Sequence, residues 1–110
     1  MDSLKMTDAA SAAVQKTPNR VALADIEAKI AAEYSFTMDK ALHDVPIPSS
    51  LSVLTVVVIV MQNGFTVIGK SAPADEANFN ADLGRKFARE DAIRQIWPLE
   101  GYALRERLTA

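Results

Sequence analysis

Arg85 and Arg89 stand four residues apart, a spacing that puts both guanidinium groups on one face of a helix, where they repel unless an anion or a carboxylate lies between them. Such a pair can clamp a phosphate. The competing reading is a solvated face on which Asp82 and Glu90 neutralise the two charges, as surface carboxylates ordinarily do. Trp97, followed by Pro98 and then Tyr102, puts two aromatic rings around an expected helix break, which suits a flat platform for a base or a peptide. The alternative is a tryptophan that seals a small core. Arg85, Arg89, Trp97 and Tyr102 are therefore the candidate ligand-binding residues. Arg94 pairs with Glu90 at i,i+4 and reads as helix support. Lys70 is expected on the hairpin face that carries Val57, Ile59 and Ile68, either at a pocket edge or reaching for water.

Other chemistries lack their usual carriers. His43 is the single histidine and has only Asp44 beside it, with no nucleophile or second metal ligand at usable spacing. The chain has no cysteine, so disulfides, thiolate metal sites and thiol nucleophiles are excluded. There is no histidine pair and no glycine loop to cradle phosphate. No catalytic residue, metal ligand or cofactor is predicted, and the chain reads as non-enzymatic.

The net charge of -2 offers no bulk positive field for a polyanion. Residues 70–107 hold seven Lys/Arg and seven Asp/Glu, a balance and not a basic arm. Nucleic acid is accordingly a disfavoured partner. The longest apolar run, residues 53–61 apart from Thr55, is about nine residues where a membrane helix needs about twenty. It is expected to be a buried strand, and no membrane association is predicted. Residues 1–17 mix Ala, Ser and Thr with Lys5, Asp8 and Lys16 and do not form a signal core. A cytoplasmic location follows as the expectation.

With 110 residues and 49% hydrophobic content, the chain suits one domain. Residues 1–20 are rich in small side chains and are expected to be a flexible tail, with residues 21–110 forming a single α+β domain. Leu23, Ile26, Ile30 and Tyr34 recur at helical steps, which predicts an N-terminal helix over 23–34, with Asp25 and Glu27 favouring its dipole. Pro46, Pro48 and Ser49-Ser50 mark an extended connector, after one possible helical turn over 38–43.

The β-branched run and the Asn63-Gly64 that follows it predict an antiparallel hairpin with strands of about 53–62 and 65–72. A two-residue type I′ turn there sets Gln62 opposite Phe65, Val60 opposite Val67, Val58 opposite Gly69 and Val57 opposite Lys70. The first strand is apolar on both faces and needs cover from helices, a third strand near Phe36 or a second copy of the chain. Asp75 is positioned to cap a long C-terminal helix of about 76–97, and Pro98 to start a short final helix of about 99–108. Along the long helix Phe79, Leu83 and Phe87 project to one side while Ala92, Ile93 and Ile96 project to another. Either the helix bends or its halves pack on different partners. Gly84, Ala88 and Ala92 make a small-residue edge that lets another backbone come close.

The stretches Asn63-Gly64-Phe65-Thr66-Val67, Asn78-Phe79, Gly84-Arg85-Lys86, Ala88-Arg89-Glu90 and Ile96-Trp97-Pro98-Leu99-Glu100-Gly101-Tyr102 resemble the family named for gene product 49 and gene 66 of two tailed phages. The resemblance begins weakly at Asp25-Ile26-Glu27 and runs through Leu104 and Leu108. It implies a phage or prophage origin and brings no catalytic activity with it. Where many relatives carry cysteine, this chain has Val57 and Pro73, so thiol chemistry is not its activity.

The expectation is a non-enzymatic phage accessory protein that binds a host protein or a small anionic ligand, for example to blunt a host defence, with a homodimer as a further expected association. The alternative is a nucleotide or small-phosphate binder built on Arg85 and Arg89 with stacking from Trp97 or Tyr102. Third is nucleic-acid binding by the long helix.

Overall fold

A computed structural model describes residues 3–110. The chain runs α1 (Ser3–Ala13), α2 (Leu23–Ala28), β1 (Ile30–Thr37), α3 (Met38–Ala41), a 3-10 turn (Ser49–Val53), β2 (Thr55–Met61), β3 (Thr66–Ser71), a second 3-10 turn (Glu76–Asn78) and α4 (Ala81–Leu108). The α+β class, the hairpin and the long C-terminal helix are as the sequence predicts. A three-stranded antiparallel sheet in the order β1-β2-β3 carries α4 on one face. The thinnest dimension, 17 Å, is that of one helix layer on one sheet layer.

The first helix is shorter than predicted. It ends at Ala28, and Ile30 to Thr37 become the third strand of the sheet, pairing with β2 from Ile30 opposite Met61 to Thr37 opposite Thr55. Helical spacing of Ile30 and Tyr34 misled, because the apolar second edge of β2 outweighs the modest helix preference of this stretch. Asp25 does work at the helix start, its carboxylate accepting from the Ala22 N–H at 2.8 Å.

The hairpin register is one residue away from that expected. Val60 faces Thr66, Val58 faces Ile68, Val57 faces Gly69 and Val56 faces Lys70. The reason lies in the turn. Of the turn residues only Gly64, at φ 88°, has a positive φ, whereas a type I′ turn needs it at both central residues. The Met61 N–H donates to the Phe65 carbonyl at 2.8 Å and the Gly64 N–H to the Met61 carbonyl at 2.8 Å, so the loop has three residues, Gln62 to Gly64. Asn63 serves by accepting from the Phe65 N–H at 2.9 Å. This register turns Val67 and Gly69 toward α4 and puts Lys70 on the opposite face from Val57 and Ile59.

The core joins Leu4, Leu23, Ile26, Val57, Ile59, Met61 and Val67 to Ala88, Ala92, Ile93 and Ile96. Each fully buried isoleucine among them contributes about 1.5–3 kcal/mol of transfer free energy. The small-residue edge of α4 does what its spacing predicts. A methyl group on Gly69 would lie 2.0 Å from the Ala88 carbonyl oxygen, and one on Gly84 would lie 2.6 Å from Thr55 Oγ1. Leu83 and Phe87 stay half-exposed, so α4 packs along Gly84, Ala88, Ala92 and Ile96, and its second half also reaches the N-terminal segment through Trp97.

Both ends of α4 depart from expectation. Asp75 caps the 3-10 turn, accepting from the Ala77 N–H, and Asn80 caps α4 by accepting from the Leu83 N–H at 3.0 Å. The helix then passes through Pro98 to Leu108 with no separate final helix. Pro98 sits on the exposed side, where water can serve the Arg94 carbonyl it leaves unpaired, while Ile96 before it and Glu100, paired with Lys29, after it hold the axis.

Residues Ser3–Ala13, where composition suggests a flexible tail over 1–20, form a helix whose Leu4 enters the core; the first two residues of that segment lie outside the described ones. Asp8 pairs with Arg20 and accepts from the Leu23 N–H at 3.1 Å, tying α1 to the start of α2.

Candidate functional site

α4 covers β2 and β3, which leaves the inner face of β1 beside an open groove. Two of the predicted residues meet there. Arg85 and Arg89 project from α4 toward β1, with Glu33, Tyr34, Ser35 and Val57 completing the lining. Neither guanidinium is free. Arg85 pairs with Asp82 one turn earlier, while Arg89 donates to Glu33 Oε1 at 2.7 Å and lies 3.6 Å from Glu27 Oε2. Burial disfavours the Arg89 charge, but hydrogen bonding and attraction from Glu33, followed by those from Glu27, outweigh it and raise the pKa above the ordinary arginine value. Neutralisation of Arg89 thus comes from α2 and β1, not from Glu90.

Glu90 is instead buried beside Ser3, whose hydroxyl donates to it at 2.8 Å, with Arg94 Nη2 at 3.6 Å. The expected i,i+4 pair is present, and it anchors the start of α1.

Further along, the groove widens to about 390 Å³ between Ser35, Thr37, Asp39, Thr55, Phe79 and Arg85. Asp39 Oδ1 and Thr55 Oγ1 are buried here without a hydrogen-bond partner. Sequence reading passed over both residues. The available signal was Thr55, the one polar side chain in an apolar run.

Trp97 and Tyr102 do not join this groove. Trp97 is half-buried against the core and its indole N–H donates to the Val21 carbonyl at 2.9 Å. Tyr102 is 71% exposed. On an unbroken helix they point about 140° apart, and Trp97 lies about 12 Å along the axis from Arg89. The four candidates therefore occupy three separate surroundings. A further apolar cavity of about 570 Å³ opens between the hairpin turn and α4, lined by Met61, Phe65, Val67, Ile96 and Leu99.

The sheet face away from α4 has its own character. Tyr34, Val58 and Ile68 are directly opposite one another across the three strands. Tyr34 is 61% and Ile68 59% exposed, so this apolar row is open to solvent. Among the described residues there is no cluster of three or more His, Cys, Asp or Glu that could hold a metal ion, and no helix long and apolar enough to cross a membrane. His43 and Asp44 are paired at 3.2 Å in an exposed loop.

Fold and surface together define a two-layer α+β domain with one bare sheet face and a charged groove beside its long helix. Residues 21–108 match the phage protein (N4 Gp49/phage Sf6 gene 66) family, and the chain belongs to it. No curated protein and no solved structure compared with the chain matches it.

Proposed function

We propose that the protein is a non-enzymatic phage accessory protein that binds a protein of the bacterial host across the bare sheet face. The observation that carries this reading is the exposed row of Tyr34, Val58 and Ile68, a flat apolar strip on rigid strands. Exposed apolar strips rimmed by polar groups are where protein partners dock, and Thr66 and Lys70 supply such a rim. The test is retention of a stoichiometric partner from host lysate by the tagged protein and by a Tyr34→Asp, Ile68→Asp double variant of unchanged circular dichroism. Loss of the partner with the variant supports the reading. Equal retention by both, or no stoichiometric partner over a range of salt, counts against it.

A second reading, a small-ligand site, draws on the orphaned Asp39 Oδ1 and Thr55 Oγ1 in the groove beside Arg85. A buried carboxylate oxygen needs a donor, so the groove suits a ligand bearing an N–H or O–H group better than a bare phosphate. Thermal shifts across a panel of nucleotides and amines, compared with Asp39→Asn, test it; a panel without any shift counts against it.

A further inference from the structure

The two edges of the sheet are treated differently by the rest of the chain. On the β3 edge, the Lys70 N–H donates to Asp91 Oδ2 at 3.0 Å and the Ile68 carbonyl accepts from Gln95 Nε2 at 2.8 Å. Side chains of α4 thus occupy the places that a fourth strand would use. Covering an edge in this way blocks pairing with another chain.

Among the described residues the β1 edge has no such cover. Its polarity follows from the bonds that flank the β1 and β2 ladder: the Met38 N–H donates to the Leu54 carbonyl at 2.9 Å, and the Gln62 N–H to the Lys29 carbonyl at 2.8 Å. These bracket Thr37 opposite Thr55 as a pair without mutual hydrogen bonds, which assigns the bonds to β2 to Phe36, Tyr34 and Ala32 by antiparallel alternation. The backbone groups of Glu33 and Ser35, and those of Thr37 at the strand end where α3 begins, consequently point away from β2. Of the usual guards of an edge, β1 carries a bulge at its start, between Ile30 and Ala32, and the stretch from Glu33 to Ser35 lies beyond it in regular register. β1 has no proline and no lysine, and its one charge, Glu33, is held by Arg89.

We infer that β1 pairs antiparallel with β1 of a second copy of the chain, about a two-fold axis that passes beside Tyr34. Glu33 and Ser35 flank Tyr34 symmetrically, so Glu33 of each copy meets Ser35 of the other and the four backbone groups of these two residues find partners on each strand. This register sets no like charges directly opposite each other. It also sets Tyr34 against the second copy's Tyr34 as a close pair, which covers the most exposed ring of the sheet. The two apolar rows then join into one, running from Ile68 through Val58 and Tyr34 to the same residues of the second copy. A foreign strand would have to supply this complement, whereas a second copy already has it. The inference concerns the pure protein and does not depend on a host partner.

The experiment is light scattering coupled to size exclusion on the full chain, with three variants. Wild type is expected at twice the chain mass of 11.9 kDa. Ser35→Pro removes one outward N–H and spares the ladder to β2, and is expected at the single-chain mass with unchanged circular dichroism. Because the chain has no cysteine, Tyr34→Cys and Ser35→Cys each introduce a single thiol. Oxidation is expected to give a covalent dimer with Tyr34→Cys, since pairs of this kind bring Cα atoms to about 4.5 Å. It is expected to leave Ser35→Cys single, since its opposite number is Glu33. Monomeric wild type, a dimer that survives Ser35→Pro, or crosslinking through Ser35→Cys and not Tyr34→Cys would each overturn the proposal.

Discussion

Gly69 of β3 lies against the Ala88 backbone of α4 so closely that a single added methyl would sit 2.0 Å from the Ala88 carbonyl oxygen. The same methyl would meet Ala92 N at 2.5 Å and the Ala92 methyl at 2.9 Å, so strand and helix meet nearly backbone to backbone.

Gly69→Ala is therefore expected to force β3 and α4 apart and to destabilise by at least the 1–3 kcal/mol (about) typical of overpacking. Urea denaturation measures it. Gly64→Ala provides the contrast, because nothing lies within 4 Å of its added methyl and only the positive φ of 88° resists. Its cost is expected to be about 1–2 kcal/mol. Equal and small effects at both positions would contradict the close contact.

Leu4 is 3% exposed and packs with the core formed by α2, the sheet and α4. Leu4→Ala is expected to cost about 2–3 kcal/mol in chemical denaturation, within the range for buried leucines. A flexible tail would give no change.

Thr55 contributes a buried hydroxyl without a partner. Thr55→Val keeps the shape and removes the orphaned group, so stability is expected to stay level or rise by about 1 kcal/mol. A fall in the melting temperature would show that the hydroxyl already has a partner in the protein, and would count against the small-ligand reading of the groove.

The Arg89 and Glu33 side chains are each about one-third exposed, at 34% and 36%, so their pairing is screened by solvent. A double-mutant cycle of Arg89→Gln and Glu33→Gln is expected to give a coupling of about 0.5–1 kcal/mol, falling as salt is raised. No coupling at low salt would remove Arg89 as the link between α4 and β1.

What could be read beforehand was whatever depended on local pattern. Gly84, Ala88 and Ala92 at four-residue intervals announced a close helix contact, and Asn63-Gly64 after a β-branched run announced a hairpin. Errors arose where two local solutions share one sequence. Asn63-Gly64 fits a two-residue or a three-residue loop, and the choice rests on the φ of Asn63, which no residue type dictates. Ile30 and Tyr34 fit a helix stripe, yet β2 needed a partner on its second edge. Pro98 reads as a stop, but an exposed carbonyl four residues earlier makes it tolerable. The candidate site was legible only in part. Arg85 and Arg89 share a groove because they share a helix face, while Glu27 and Glu33, which pair with Arg89, and Asp39, which lines the groove with Arg85, come from elements distant in sequence.

The loop of Gln62, Asn63 and Gly64 decides more than where the chain reverses. Along a strand every side chain alternates, so loop length acts as a reading frame for all of β3. In the frame used, Gly69 comes under Ala88 and Lys70 faces outward. A two-residue loop, with Gln62 drawn into the strand opposite Phe65, would shift the frame and offer the helix a lysine where only a hydrogen fits. The turn thus selects, between two neighbouring residues, the one on which α4 can rest.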